Sequence, residues 1–253
     1  MKTILWTGIV LFNLSFCDSP PKKSEKKEEP ITLHMKQQWE NLFDGSDTDA
    51  WHLYNGDGEM SQDWHIEGEN LVFRPVKGHS PQNIVTQAEY TNFELSLEWR
   101  ISEAGNSGIF YGVIESDKYI EPYLTGPEIQ VLDNERHEDA FIKPKYHQAG
   151  ALYDMIQPRS EACKPAGKWN HLLLQVNHQT NKASVKLNGI EIVTYEPHGE
   201  NWDALVRESK FKNLEAYNYV EAPDFGKFKT GKIGLQDHGN IVSYRNIKIR
   251  EIQ

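Results

Sequence analysis

Apolar and polar residues alternate along most of the chain after Trp39, and turn-forming residues separate the alternating runs. A period of two sends successive side chains to opposite faces of a strand, so each run is typical of a β-strand with one face in the core. The clearest examples are Phe93–Ile101, Lys232–Gln236 and Val242–Ile252. Helical periodicity is nearly absent, and Trp202–Ser209 is the best candidate for a short helix. The pattern predicts an all-β sandwich of two antiparallel sheets with one or two short helices.

Two hairpins can be located from their turn residues. The segment Trp64–Phe73 contains a turn signal at Gly68, between two alternating stretches. Asn188 and Gly189 separate two further runs, and Asn-Gly is a preferred pair for a two-residue hairpin turn. No internal repeat or second composition regime follows, so we expect a single domain over residues 36–253.

The N-terminal part of the chain differs in composition from this domain. Residues 1–16 combine Lys2 with an apolar stretch too short to span a bilayer, and they end just before Cys17, which is typical of a lipoprotein signal peptide. Residues 17–35 are polar and charged for most of their length, and we expect a disordered tether there. The predicted location is the bacterial cell envelope, lipid-anchored through Cys17 or periplasmic. An ordinary secretory signal is the alternative.

Charge and cysteine content narrow the range of partners. The 253 residues carry a formal net charge of −10, which argues against a nucleic-acid partner because nothing would neutralise the phosphates. The only cysteines are Cys17 and Cys163, so a lipidated Cys17 leaves no intramolecular disulfide. We therefore expect no nucleic-acid partner, and membrane contact through the N-terminal lipid alone.

The most informative stretch is Gly126–Asn134, which alternates as a strand does. Glu128 and Gln130 share one face, whereas Ile129 and Val131 point to the other. A carboxylate and an amide two residues apart can form the polar floor of a sugar-binding site. An ordinary solvated strand face is the alternative. Because the strand carries a single carboxylate on this face, glycoside cleavage by two carboxylates about 5 Å apart is disfavoured.

Two further stretches place titratable groups close together. In Leu235–Gly239, His238 is next to Asp237, and a nearby carboxylate can tune an imidazole as a base or metal ligand. A strand-end turn with a solvated His explains the same residues. In His147–Asp154, a His, a Tyr and an Asp surround small residues that either admit a ligand or pack on another sheet. Trp202, with polar neighbours on both sides, is the best candidate for an exposed platform that stacks on a sugar.

Over about residues 38–252 the chain resembles the 3-keto-disaccharide hydrolase family, because these stretches and several other motifs of that family occur in the same order. The motifs are Leu42–Gly45, Gly105–Tyr111, Gly126–Asn134, Ala149–Asp154, Lys164–Asn170, Leu187–Gly189, Ser209–Lys212, Leu235–Gly239 and Arg245–Ile249. The resemblance implies a concanavalin A-like or LamG-like jelly roll that acts on glycosides oxidised at C3. A ketone at C3 acidifies the C2 proton, so one base can form an enolate that expels the group at C1 before water adds.

The resemblance also suggests roles for individual side chains. Glu128 and His238 form the expected catalytic pair, either of which could be the base, and Asp237 orients or supports the site. The expected substrate-binding residues are Gln130, Asn106, Tyr153, Lys210, Arg100 and Trp202. A divalent metal ion could polarise the ketone with Glu128 and His238 as ligands, although their spacing defines no metal site. The alternatives are a non-catalytic carbohydrate-binding module, a structural lipoprotein, and a glycosidase or lyase for unoxidised glycans.

Overall fold

The protein is described by a computed structural model over residues 38–58, 60–78, 82–143, 145–217 and 219–253. The predicted signal peptide, the lipidated Cys17 and the tether lie outside the described residues. Within them, no helix is both long enough and apolar enough to cross a membrane.

The described residues form two antiparallel sheets with short helical segments. The strands are β1 (Glu40–Phe43), β2 (Trp51–Leu53), β3 (Trp64–Glu67), β4 (Asn70–Phe73), β5 (Ile84–Thr86), β6 (Phe93–Ile101), β7 (Asn106–Val113), β8 (Glu128–Leu132), β9 (Asn170–Asn177), β10 (Lys182–Leu187), β11 (Ile190–Tyr195), β12 (Lys232–Leu235) and β13 (Val242–Glu251). The α-helices are α1 (Asp139–Ile142) and α2 (Glu200–Glu208), and 3₁₀ turns occur at Pro122–Leu124, Lys210–Lys212 and Leu214–Tyr217.

The two sheets differ in size. The eight-stranded sheet has the order β11-β10-β9-β6-β13-β4-β3, with β1 also paired to β13. The five-stranded sheet has the order β2-β5-β12-β7-β8. The predicted jelly-roll sandwich is therefore confirmed, and so are both hairpins. In the turn between β10 and β11, Asn188 and Gly189 have φ of 51° and 84°, as a type I′ turn requires.

Alternation along each strand places the apolar side chains between the sheets. On β6, Leu95, Leu97 and Trp99 are fully buried in the core, and on β8 Ile129 and Val131 reach the same cluster from the opposite sheet. Burial of this apolar surface is the main favourable term in folding.

The outer faces of the two sheets have different surroundings. Loops cover the outer face of the five-stranded sheet next to β7 and β8. One of them, around residues 150–153, extends the sheet, because the Gly150 amide donates to the Gln130 carbonyl and the Tyr153 amide donates to the Glu128 carbonyl. This cover encloses the polar face of β8.

Candidate active site

A cavity of about 250 Å³ lies between the outer face of the five-stranded sheet and the covering loops. Its floor comes from β7 and β8, and its walls come from the turn after β12, from α1 and from the loops on either side. Seven of the nine predicted catalytic and substrate-binding residues line it, namely Asn106, Glu128, Gln130, Tyr153, Lys210, Asp237 and His238. The other two, Arg100 and Trp202, lie elsewhere.

Gly108 gives the Glu128 carboxylate its position. In the β7–β8 register Gly108 is opposite Gln130, two residue pairs from Glu128, and the Glu128 side chain lies across it. A Cβ atom at position 108 would lie 2.0 Å from Glu128 Oε1 and 2.6 Å from its Cδ, closer than any two such atoms can approach. A glycine inside a strand often marks such a close approach, so the sequence did contain a signal for this position.

The Glu128 carboxylate is buried without a hydrogen bond from any described residue. The residue is 6% exposed and faces the cavity. Burial raises the pKa of Glu128 to about 8, while nearby Lys210 lowers it and Asp139 raises it further. A carboxyl group in this state keeps its proton near neutral pH and can donate it to a bound molecule.

Lys210 provides a cation beside this carboxyl group. Its Nζ donates to Tyr153 Oη at 3.0 Å and lies 4.2 Å from the centroid of the Tyr153 ring. Burial lowers the pKa of Lys210, and the charges of Glu128, Asp154 and Asp139 oppose that effect. A partly desolvated ammonium group in a closed cavity is suited to stabilise negative charge that develops on a substrate oxygen.

His147 links two carboxylates behind the cavity wall. Its Nδ1 lies 2.9 Å from Asp139 Oδ1, and its Nε2 lies 2.8 Å from Asp154 Oδ1. Burial alone would lower the pKa of His147, but hydrogen bonds with both carboxylates raise it above its ordinary value. The two aspartates therefore favour the charged form of the imidazole.

This arrangement continues to the cavity through Asp139 and Asp154. Asp139 Oδ2 accepts from Tyr153 Oη at 3.1 Å, and Asp154 Oδ2 accepts from the backbone amide of Lys210 at 2.6 Å. His147 also stacks on the Tyr153 ring, with centroids 4.3 Å apart. The sequence analysis grouped His147, Tyr153 and Asp154 as neighbouring candidates. It did not indicate that Asp139 belongs to the same cluster.

The turn after β12 brings His238 to the cavity. Strand β12 ends at Leu235, so Gln236 and His238 lie in the turn that follows the strand. Burial lowers the pKa of His238, and His137, whose ring centroid is 6.0 Å away, lowers it further. The imidazole is thus neutral near pH 7 and can accept a proton. Its Nε2 is 3.5 Å from Asn106 Nδ2, at the outer limit of a hydrogen bond.

Asp237 shapes that turn. Its Oδ1 accepts from the Gly239 amide at 2.7 Å, and its Oδ2 accepts from the Gln82 amide at 2.9 Å. Its own amide donates to Asn83 Oδ1 at 3.0 Å. Both carboxylate oxygens are therefore occupied, which suits the predicted supporting role better than proton transfer.

Glu121 is a cavity residue that the sequence did not reveal. It comes from the loop before β8, and Asn83 Nδ2 donates to its Oε2 at 3.0 Å. Burial raises its pKa, the Asn83 hydrogen bond lowers it, and the charge of Asp237 raises it. The carboxylates lining the cavity are therefore Glu121, Glu128, Asp139 and Asp237. The β8 face does carry one carboxylate, as predicted, and Asp237 was also expected at the site, but the sequence did not indicate that Glu121 and Asp139 join them.

Arg100 does not reach the cavity. It lies on β6 between buried Trp99 and Ile101, so its side chain points to the outer face of the eight-stranded sheet, on the other side of the sandwich. There its guanidinium carbon is 4.8 Å from the centroid of Trp169. The prediction that Arg100 is a substrate-binding residue of this cavity is therefore corrected.

The predicted exposure of Trp202 is also wrong. It lies on α2 and is 4% exposed, so it is no exposed platform. Its ring stacks on Phe225 with centroids 6.1 Å apart and also contacts Tyr195. Its sequence neighbours are polar because a helix turns about 100° per residue, which points them to solvent while Trp202 faces inward.

The described residues contain no group of three or more His, Cys, Asp and Glu side chains placed to hold a metal ion.

Cys163 lies outside the cavity, and burial raises the pKa of its thiol to about 12, so it is poorly suited to act as a nucleophile.

Comparison with known proteins shows the family to which the chain belongs. Residues 38–250 match the family described as the 3-keto-alpha-glucoside-1,2-lyase-like domain. The chain is 34% identical over 226 residues to a 3-keto-disaccharide hydrolase of Bacteroides thetaiotaomicron, an alignment that covers 83% of this chain and 77% of the relative.

Two crystal structures of candidate glycosyl hydrolases from Parabacteroides distasonis have similar folds. The first has a TM-score of 0.73 at 29% identity and covers 85% of this chain and 94% of its own. The second has a TM-score of 0.62 at 25% identity and covers 85% and 100%. The resemblance found in the sequence is confirmed: the chain belongs to the 3-keto-alpha-glucoside-1,2-lyase-like family.

Proposed function

We propose that this protein cleaves the glycosidic bond of 3-keto-glycosides, including 3-keto-disaccharides, by elimination followed by addition of water. The observation that carries the proposal is the buried Glu128 carboxyl group, which faces the cavity without a hydrogen bond from a described residue, beside Lys210. Membership of the family and the name of the Bacteroides relative support the same substrate class.

In the proposed reaction a base removes the proton from C2, and the electron pair of the C–H bond forms an enolate whose charge lies on the C3 oxygen. The enolate then re-forms the C3 carbonyl, and the C1–O bond breaks to leave a C1–C2 double bond. The departing oxygen takes a proton from an acid. Water adds to C1 while a proton returns to C2, so the net result is hydrolysis.

Protonation states suggest how the residues divide these tasks. His238 is neutral near pH 7 and serves as the base for C2. Glu128 is protonated in the same range and donates to the leaving oxygen. Lys210, held by Tyr153, stabilises the enolate oxygen. Gln130 and Asn106 complete the floor as partners for sugar hydroxyl groups.

Ordinary hydrolysis of unoxidised glycosides is the second candidate, and one observation favours it. Glu121 and Glu128 both line the cavity, and burial raises the pKa of both. Two carboxyl groups in one cavity are what displacement mechanisms use. The two functions differ in whether the C2–H bond breaks and whether the C3 ketone is needed.

The test is to incubate the purified domain with a 3-keto-disaccharide and with its unoxidised parent, with and without a chelator, and to determine product masses. We expect cleavage of the keto substrate alone. Cleavage of the parent at a similar rate would favour the second candidate, and binding without cleavage of either substrate would favour a carbohydrate-binding module. Activity that is lost in chelator and restored by a divalent cation would add a metal ion to the site.

We also propose that Cys17 anchors the protein to the cell envelope by a lipid, on the strength of the apolar stretch that ends before it. Replacing Cys17 with Ser should move the protein from the membrane fraction to the soluble fraction. An unchanged distribution would contradict the anchor.

A further inference from the structure

The mouth of the cavity carries two tyrosines that the proposed reaction does not use. Tyr123 and Tyr219 both line the cavity, and their ring centroids are 6.0 Å apart at an interplanar angle of 82°. Tyr219 is 48% exposed, whereas Glu128 and Gln130 on the floor are buried. The tyrosines therefore lie at the solvent end, and the carboxyl group lies at the closed end.

The size of the cavity limits what can lie inside it. A volume of about 250 Å³ is below the roughly 300–1,000 Å³ of pockets that enclose drug-sized ligands, so a single sugar ring fills it. The group that departs from C1 has no room behind that ring. The bond to be broken must face the mouth, and the leaving group must lie against the residues there.

Contacts with its surroundings hold Tyr219 in place at the mouth. Its backbone amide donates to the Leu214 carbonyl at 3.1 Å, and its ring centroid lies 5.4 Å from Lys210 Nζ. Lys210 is held separately by its hydrogen bond to Tyr153, so Lys210 keeps its position when the Tyr219 ring is removed. Tyrosine offers a rigid, amphipathic face with few rotatable bonds, which suits contact with the face of another ring.

We infer that Tyr123 and Tyr219 form a subsite for the leaving group, and that this subsite selects substrates whose leaving group is itself a ring. The class comprises a second pyranose or an aromatic alcohol, in preference to a short alkyl group. The inference rests on the proposed function, because it requires a glycoside in the cavity.

The test compares two 3-keto-glucosides with the same oxidised ring, one carrying a second sugar at C1 and the other a methyl group. For Tyr219→Ala, kcat/KM on the disaccharide should fall about tenfold, the scale of one lost ring contact, while kcat/KM on the methyl glycoside should change less than twofold. For each substrate, kcat/KM of the variant is divided by kcat/KM of wild type, so that the different reactivities of the two leaving groups cancel.

Two further variants separate subsite loss from disturbance of the loop. Tyr219→Phe keeps the ring and should retain wild-type selectivity. Val220→Ala changes a neighbouring residue that is 49% exposed and does not line the cavity, and it should leave both substrates unaffected.

Equal losses on both substrates, or no loss on either, would overturn the subsite. Wild-type protein that cleaves neither keto substrate would instead overturn the proposed function itself. The two failures are therefore distinguishable in a single set of measurements.

Discussion

Glu98 and Glu128 lie on the outer faces of the two opposite sheets of the sandwich. Glu98 lies on β6 between the core residues Leu97 and Trp99, and Glu128 begins β8 and is followed by the core residue Ile129. Glu98 has a side chain that is 26% exposed and forms an ion pair with Arg245. Glu128 is 6% exposed and has no hydrogen bond from a described residue.

The covering loops account for this difference. An ion pair on an open sheet face contributes only about 0–1 kcal/mol to stability. Under the loops, ionisation of an unpartnered carboxyl group is disfavoured, so the pKa of Glu128 rises to about 8. The same residue type on the same kind of strand is thus an ordinary surface group on one side and a proton donor on the other.

Paired substitutions at these two glutamates should give the largest contrast. Glu128→Gln should lower turnover of a 3-keto-glucoside at least a hundredfold, because the amide cannot exchange a proton with the substrate. Glu98→Gln should leave turnover within twofold of wild type. Steady-state kinetics on both variants checks this, and near-normal turnover in Glu128→Gln would remove Glu128 from the reaction.

The stability of Glu128→Gln relative to wild type tests the raised pKa of Glu128 independently of activity. The folded state holds a proton on Glu128 that the unfolded chain releases at the ordinary Glu value, so ionisation weakens the fold as pH rises toward about 8. Glu128→Gln should therefore gain unfolding free energy relative to wild type as pH rises through that window. Denaturant titrations at several pH values measure the difference, and a constant difference would contradict the raised pKa.

His238→Ala should also lower turnover at least a hundredfold, since the proposed base is lost. The matched control is His65→Ala on β3, where the imidazole is paired with Glu67 away from the cavity. In wild type, activity should rise with pH as His238 becomes neutral, and burial places this rise below the ordinary pKa of His. Retention of that acidic limb in His238→Ala would assign it to another group.

Gly108→Ala should have an intermediate effect. The added methyl group would collide with the Glu128 carboxyl group, so the side chain or the strand must shift. We expect a loss of turnover of about thirtyfold and a loss of stability of about 1–3 kcal/mol, as for overpacking elsewhere. Kinetics and thermal unfolding check both values. Wild-type turnover would show that the position of Glu128 over Gly108 is unimportant.

His147→Gln should have the smallest effect on turnover, about tenfold, because His147 reaches the cavity only through Asp139, Asp154 and Tyr153. Its effect on stability should be about 2–3 kcal/mol, because both aspartates lose a charge-assisted hydrogen bond while Lys143 remains 3.4 Å from Asp154 Oδ1. The pKa of His147 is raised, so its stabilising contribution is present at low pH and declines as pH rises through the raised value. Unfolding curves that show the same deficit at all pH values would contradict this.

The sequence predicted what local periodicity can determine. Alternation identified strands such as β6 and β8, and it placed Glu128 and Gln130 on one face. Alternation cannot tell which sheet a strand joins, however, and β6 alternates in the same way as β8. For that reason Arg100 was assigned to the wrong side of the sandwich.

The remaining site residues depend on contacts between distant parts of the chain. Glu121, Asp139 and His147 lie in loops or in a short helix whose path is set by packing over the sheet. The sequence neighbourhoods of Glu121 and Asp139 resemble ordinary polar connections, whereas His147 was already a candidate because Tyr153 and Asp154 follow it closely. Gly108 was different, because a glycine inside a strand already indicates a close approach.

The central claim is that the C2–H bond breaks during cleavage, and deuterium at C2 of a 3-keto-disaccharide tests it most directly. We expect slower cleavage of the deuterated substrate and a product that has exchanged its deuterium for a solvent proton. Free product incubated alone serves as the control for exchange after cleavage. Cleavage at an unchanged rate with deuterium fully retained would contradict the account and leave displacement at C1 as the reaction.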